Sequence, residues 1–152
     1  MVDERLGRHF LLSEFLRSET ATRRGLANVP DGQALRNLRE VLAPGLERVR
    51  NLLGVPVQIT SGYRSSAVNA AVGGSAASQH CHGLAADFVA PDYGTPRSIA
   101  RHLAQQAEAL GFDQLIFEGT WVHISFVRDN PRRQALTAHF GAGPVTYTTG
   151  IA

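Results

Sequence analysis

The longest apolar pattern in the chain lies between Gln33 and Leu53, where Leu35, Leu38, Leu42, Leu46, Val49 and Leu53 recur at three- and four-residue spacing. That period lines one face of a helix and predicts a long amphipathic element over residues 33–53. Pro44 interrupts the pattern. It has no N–H to donate and its ring crowds the preceding turn, so a kink or a split is expected there. Gly54 is placed to close the helix. A second helix is predicted from a Thr95 cap, with Pro96 at its first position, to Leu110, where Gly111 ends it. Ile99, Leu103 and Leu110 supply its buried face.

Elsewhere the chain reads as strands. Residues 55–60 form a short β-branched run, residues 84–90 a second, and residues 113–118 and 121–127 a pair joined through Gly119-Thr120, a connection suited to a tight hairpin. In the last of these, Val122, Ile124 and Phe126 share one face and Trp121, His123 and Ser125 the other. The all-apolar face must be core, which turns His123 away from it. Ahead of the long helix, Ser13 is expected to cap a short helix carrying Phe15 and Leu16, Thr20 to begin a turn over 21–26, and Pro30-Asp31-Gly32 to form a boundary turn. Residues 66–72 suit a short helix ended by Gly73-Gly74, and residues 133–140 a strand or short helix. The Gly/Thr-rich stretch 141–152 reads as a loosely held tail. Together these elements predict an α+β fold, with a small antiparallel sheet flanked by the two longer helices, in one domain over residues 1–152 whose core spans about 8–138.

Composition narrows the function classes. At 152 residues, 43% hydrophobic and 18% charged, the chain has the balance of one globular domain. A formal net charge of +2, with no Lys/Arg run interleaved with aromatics, argues against nucleic-acid binding. The single Cys81 excludes an intrachain disulfide and a multi-cysteine zinc knuckle. No apolar run reaches the ~18–20 residues of a membrane span. Met1-Val2-Asp3-Glu4-Arg5 leads into no signal-peptide core, so no export signal is expected in the chain. A monomer is expected.

The densest chemistry lies in Ser78-Gln79-His80-Cys81-His82-Gly83-Leu84-Ala85-Ala86-Asp87. It is either an odd buried turn or a metal site entering a strand. His9, His102 and His139 read as surface or hydrogen-bonded histidines. His80, Asp87 and His123 differ, because a small-residue loop, a strand start and a non-core strand face each present one of them. Two imidazoles and one carboxylate can bind zinc tetrahedrally and leave a fourth position for water, the layout of a catalytic site. The same three residues also suit a structural polar cluster. Arg64 sits in the turn Ser61-Gly62-Tyr63-Arg64-Ser65, beside the glycine that permits it; a surface guanidinium is the plainer reading.

Ser78-x-His80-x-x-Gly83-x-Ala85-x-Asp87 followed by Trp121-x-His123 resembles the ligand signature of the zinc D-Ala-D-Ala carboxypeptidase family of peptidoglycan metallopeptidases. The Ser61–Ser65 turn and the lead-in Phe10-Leu11-Leu12-Ser13-Glu14-Phe15 resemble its small single-domain branch, which includes phage endolysins, and the resemblance covers about residues 8–138. It implies the carboxypeptidase/hedgehog-like fold and one Zn2+ held by His80, Asp87 and His123. Arg64 would hold or polarise the substrate peptide. Ser78 would bind substrate or orient the ligand loop, and Trp121 would wall the cleft or support the ligand strand. Cys81 and His82 would be bystanders. The sequence departs from the pattern at one point: several relatives carry an acidic residue three positions before the last histidine, where this chain has Thr120. Glu118, across the tight turn, is then the expected general base, with Asp113 as the weaker substitute.

The implied substrate is the peptide stem of peptidoglycan, with D-Ala-D-Ala cleavage as the first expectation and L-alanyl-D-glutamate cleavage, as in phage endolysins, as the alternative. The implied location is the cell wall, on the periplasmic or extracellular side; with no leader expected, release as a phage-type lysin is one route. A non-catalytic zinc or wall-binding module and a metal-free structural domain are the readings from other classes.

Overall fold

The computed structural model describes residues 2–152. Short helices α1 (Leu12–Leu16) and α2 (Glu19–Arg24) precede a continuous helical run made of α3 (Gly32–Asn37), a π-helical segment (Leu38–Leu42) and α4 (Ala43–Leu53). There follow β1 (Gln58–Ser61), α5 (Ser66–Ala71), a 3-10 turn (Gln79–His82), β2 (Ala85–Val89), α6 (Pro96–Ala104), α7 (Ala107–Leu110), β3 (Gln114–Phe117), β4 (Val122–Ser125), β5 (Gln134–His139) and β6 (Thr146–Thr149). The six strands form one sheet in the order β1-β2-β4-β3-β5-β6. All neighbours are antiparallel except β3 and β5. The α+β class expected from the sequence is therefore the observed one.

The long helix keeps its predicted extent but meets the proline in a specific way. Ala43 N bonds to Leu38 O, five residues back, so the turn is widened immediately before Pro44. Pro44 then sits in the first turn of α4, where its missing N–H leaves no bond unmade. Gly54 closes α4 at φ 70°. The face of this run packs on the sheet at close range: a Cβ on Gly45 would lie 2.4 Å from the Phe126 ring. Leu38, Leu42, Leu46 and Val49 meet Phe88, Leu115, Val122, Ile124 and Phe126 in a core where each is fully buried. Burying side chains of this size contributes roughly 1.5–3 kcal/mol each.

Three local expectations change. Ser13 does not cap α1; the carboxylate of Glu14 accepts from Leu11 N at 2.7 Å, and Ser13 instead donates to Asp3. Ser18, one residue before Glu19, caps α2 by accepting from Ala21 N, displacing the start expected at Thr20. The segment beyond Gly141 is not a loose tail. Thr146–Thr149 pair with β5 in register Leu136↔Thr149 to His139↔Thr146, and the Thr137 hydroxyl bonds to Gly150 O and Ala152 N. A threonine run is β-branched and suits an edge strand even where all four residues are exposed, which the glycine content of the segment hides.

Candidate metal centre

Strand alternation sends one set of side chains of each central strand into the core and the other to the opposite face. In β2, Ala86 and Phe88 are fully buried in the core, so Asp87 faces away; in β4, Val122 and Ile124 do the same for His123. Asp87 and His123 are direct cross-strand partners. Their pairing by register is what brings a residue of β2 to one 36 positions later.

The third member arrives from the 3-10 turn. Ser78 Oγ accepts from His80 N at 3.2 Å and starts the turn. Gly83 ends it at φ 70°, in the left-handed region that favours glycine, and a Cβ there would lie 2.5 Å from Ala34 O. Asn37 Nδ2 donates to His82 O at 2.8 Å, tying the turn to the long helix. His80 itself is buried, and its Nδ1 donates to the Gly62 carbonyl at 2.7 Å. Because a carbonyl only accepts, the proton of the neutral ring sits on Nδ1, and Nε2 is left with its lone pair facing Asp87 at 3.3 Å.

Each of His80, Asp87 and His123 offers a ligand atom within 4.8 Å of the others. His123 Nδ1 lies 3.0 Å from Asp87 Oδ1. Burial alone would push the Asp87 carboxyl up, but its close contacts with His123 and His80 outweigh it and hold the group well below the usual carboxylate range. Burial pushes the His80 imidazole down, against the pull of Asp87. An ionised carboxylate and a neutral imidazole are the forms that bind metal. The donor set of two nitrogens and one oxygen also fits a zinc site with one open position. The three residues therefore suit a divalent metal in geometry, and Asp87 and His80 suit it in protonation as well.

Arg64 is anchored by three of its nitrogens: Nε donates to Ser61 Oγ at 3.2 Å, Nη1 to Asn69 Oδ1 at 3.4 Å and Nη2 to Asp87 Oδ2 at 3.3 Å. Its turn is held in place by Asn28, whose amide donates to Leu16 O and Tyr63 O and accepts from Ser65 N. Glu118, at the end of β3, places Oε1 3.7 Å from His123 Nδ1 and accepts from Trp121 Nε1 at 3.3 Å. Burial, reinforced by the Asp87 charge, pushes the Glu118 carboxyl above its ordinary value, with His123 opposing.

Of the residues expected to act together, His80, Asp87, His123, Arg64, Glu118 and Trp121 converge. Ser78 stands at the start of the ligand turn, with its hydroxyl engaged by His80 N. Asp113 stands apart, at the opposite end of β3 from Glu118. Its oxygens accept from Arg132 and Gln79, and Arg132 holds the carboxyl below its usual range. His82 is exposed outside the cluster, and Cys81 is a half-buried free thiol. Sequence reasoning missed Asn28, Asn37, Asn69, Ser61 and the Gly62 carbonyl. The only available signal was that Asn69 interrupts an otherwise small and apolar helical stretch, Ala67 to Ala71.

The family model for Peptidase M15 matches residues 8–127, which takes in every residue of this cluster. No curated protein matches the chain.

Proposed function

The chain belongs to the peptidase M15 family of zinc metallopeptidases, and from that premise we propose that it hydrolyses a peptide bond in the stem peptide of peptidoglycan, at D-Ala-D-Ala in the first instance. The observation that carries the reading is Asp87. It is a buried, ionised carboxylate that touches both imidazoles and a guanidinium, with a second carboxylate, Glu118, 3.7 Å from His123 Nδ1. A structural polar cluster needs the first three partners but has no use for a half-buried acid whose pKa is raised beside them.

His80, Asp87 and His123 would hold zinc, which supplies a Lewis acid for a carbonyl and acidifies water to a pKa near 7. The protein's own groups account for the remaining steps. Glu118, poised by burial to accept a proton and hydrogen-bonded to Trp121, takes a proton from the attacking water and returns it to the leaving amine. Arg64, held by Ser61 and Asn69, keeps its guanidinium beside the site, where it stabilises negative charge developing on the substrate oxygen. Its contact with Asp87 also offsets the buried charge before substrate enters. The Gly62 carbonyl fixes the His80 ring, so that the ligand nitrogen needs no reorientation.

Glu118→Gln tests the assignment, because the amide preserves size and the Trp121 contact while removing the proton acceptor. The expected result is one zinc per chain, as in the wild type, with muropeptide hydrolysis lost by about 10²–10⁴-fold. Unchanged hydrolysis would remove Glu118 from its role. Zinc binding with no hydrolysis by the wild type would favour a wall-binding module.

A further inference from the structure

Beside the metal cluster lies a cleft of about 430 Å³ between α2, α5 and the edge strand β1. It is lined by Arg17, Glu19, Arg23, Ser61, Arg64 and Val68, among others. Two features connect it to the candidate active site. Ser61 is the cross-strand partner of Asp87, and Arg64 belongs to both, contacting Asp87 through Nη2 while forming part of the cleft wall. A peptide crossing the cluster toward β1 therefore enters this cleft.

The charge of the lining is unbalanced. Three guanidinium groups face one carboxylate, Glu19. Arg64 is engaged by Ser61, Asn69 and Asp87, but among the described residues neither Arg17 nor Arg23 makes a side-chain hydrogen bond or an ion pair. Arg17 follows α1 and Arg23 lies in the last turn of α2, so the cleft takes one guanidinium from each of two elements. The volume lies within the range of sites that take a small ligand, and a guanidinium recognises a carboxylate through two parallel hydrogen bonds. We propose that this cleft is a subsite for a carboxylate-bearing residue of the stem peptide, with Arg17 and Arg23 binding the carboxylate and Arg64 marking the boundary with the reacting bond. The proposal rests on the peptidase reading above and specifies which part of the substrate is read away from the metal. Both arginines are solvent-exposed, so the two together contribute about a factor of ten in affinity, an effect that falls with added salt.

The test measures binding by calorimetry to the zinc-loaded Glu118→Gln chain, which does not consume the ligand. The probes are a synthetic stem pentapeptide with free carboxylates and the same peptide with each carboxylate converted in turn to a carboxamide. One carboxamide is expected to bind about tenfold more weakly or worse, and Arg17→Gln with Arg23→Gln is expected to abolish that discrimination. The double variant should bind the acid form as the parent binds the carboxamide. Discrimination that survives the double substitution, equal binding of all forms, or no binding of any form overturns the proposal. Hydrolysis of the free-carboxylate peptide by the zinc-loaded wild type is scored separately. Its absence refutes the peptidase reading, whereas the cleft is decided by the binding arm alone.

Discussion

Replacing Gly62 with alanine joins packing to metal binding in one experiment. A Cβ at Gly62 would lie 2.5 Å from Phe15 O and 2.8 Å from Phe15 Cα, where ordinary contact begins at 3.4 Å. Both obstacles are backbone, and Phe15 is fully buried, so neither can swing aside as a side-chain tip would. The backbone of residues 61–63 must then move away from α1 by most of an ångström, straining the 2.7 Å bond from Tyr63 N to Phe15 O. Overpacking of this kind costs about 1–3 kcal/mol, which a domain of ordinary stability, roughly 5–15 kcal/mol, survives. The same displacement carries the Gly62 carbonyl away from His80 Nδ1. Loss of such an orienting partner lowers metal affinity by about 10–100-fold. Urea unfolding of the metal-free chain reads the first effect, and zinc competition against a chromophoric chelator reads the second. Gly141→Ala, with open space around the new methyl, is the control for handling a glycine. Reduced stability with wild-type zinc affinity would refute the orienting role of the carbonyl. Unchanged stability would refute the close approach itself.

Two further outcomes follow from the same reasoning. The folded-state pKa of Asp113 is lowered, chiefly by Arg132, so its contribution is present above the ordinary carboxylate value of about 3.9 and is lost as pH falls through the lowered one. Asp113→Asn is therefore expected to cost about 1.5–3 kcal/mol at pH 7 and to flatten the loss of stability below about pH 4, measured by urea midpoints across pH. Arg64→Lys keeps a positive charge but cannot hold Ser61, Asn69 and Asp87 from three nitrogens at once. Steady-state assays should show kcat/KM lower by about 10²-fold, with the zinc content unchanged.

The legible part of this fold is the part set by periodicity and by local chemistry. The three- and four-residue spacing from Leu35 to Leu53 gave the long helix, and the alternation of Val122, Ile124 and Phe126 turned His123 to the correct face. The ligand motif was legible because its members are chemically rare types held at short, fixed spacing. What escaped was long-range. The parallel pairing of β3 with β5 and the addition of β6 depend on strands that find partners across the sheet, and in residues 141–152 the glycines mask the β-branched run that becomes the edge strand. Asn28, Asn37 and Asn69 escaped for a similar reason. Each is an ordinary polar residue until the backbone of another element arrives for it to bond: Tyr63 O and Ser65 N for Asn28, His82 O for Asn37 and Ser75 O for Asn69. Glu118 was legible only by elimination, since Thr120 occupies the position at which an acid was expected.

The proposed activity joins two things, a zinc centre at His80, Asp87 and His123 and cleavage of a stem peptide that depends on it. It is tested most directly by mass spectrometry of a defined muropeptide incubated with the zinc-loaded chain, with the chelator-treated chain, and with that chain after zinc is restored. The predicted result is a single pair of products whose masses sum to that of the substrate plus one water, reporting one broken peptide bond, absent after chelation and recovered with zinc. An intact substrate in the presence of a chain carrying one zinc would contradict it.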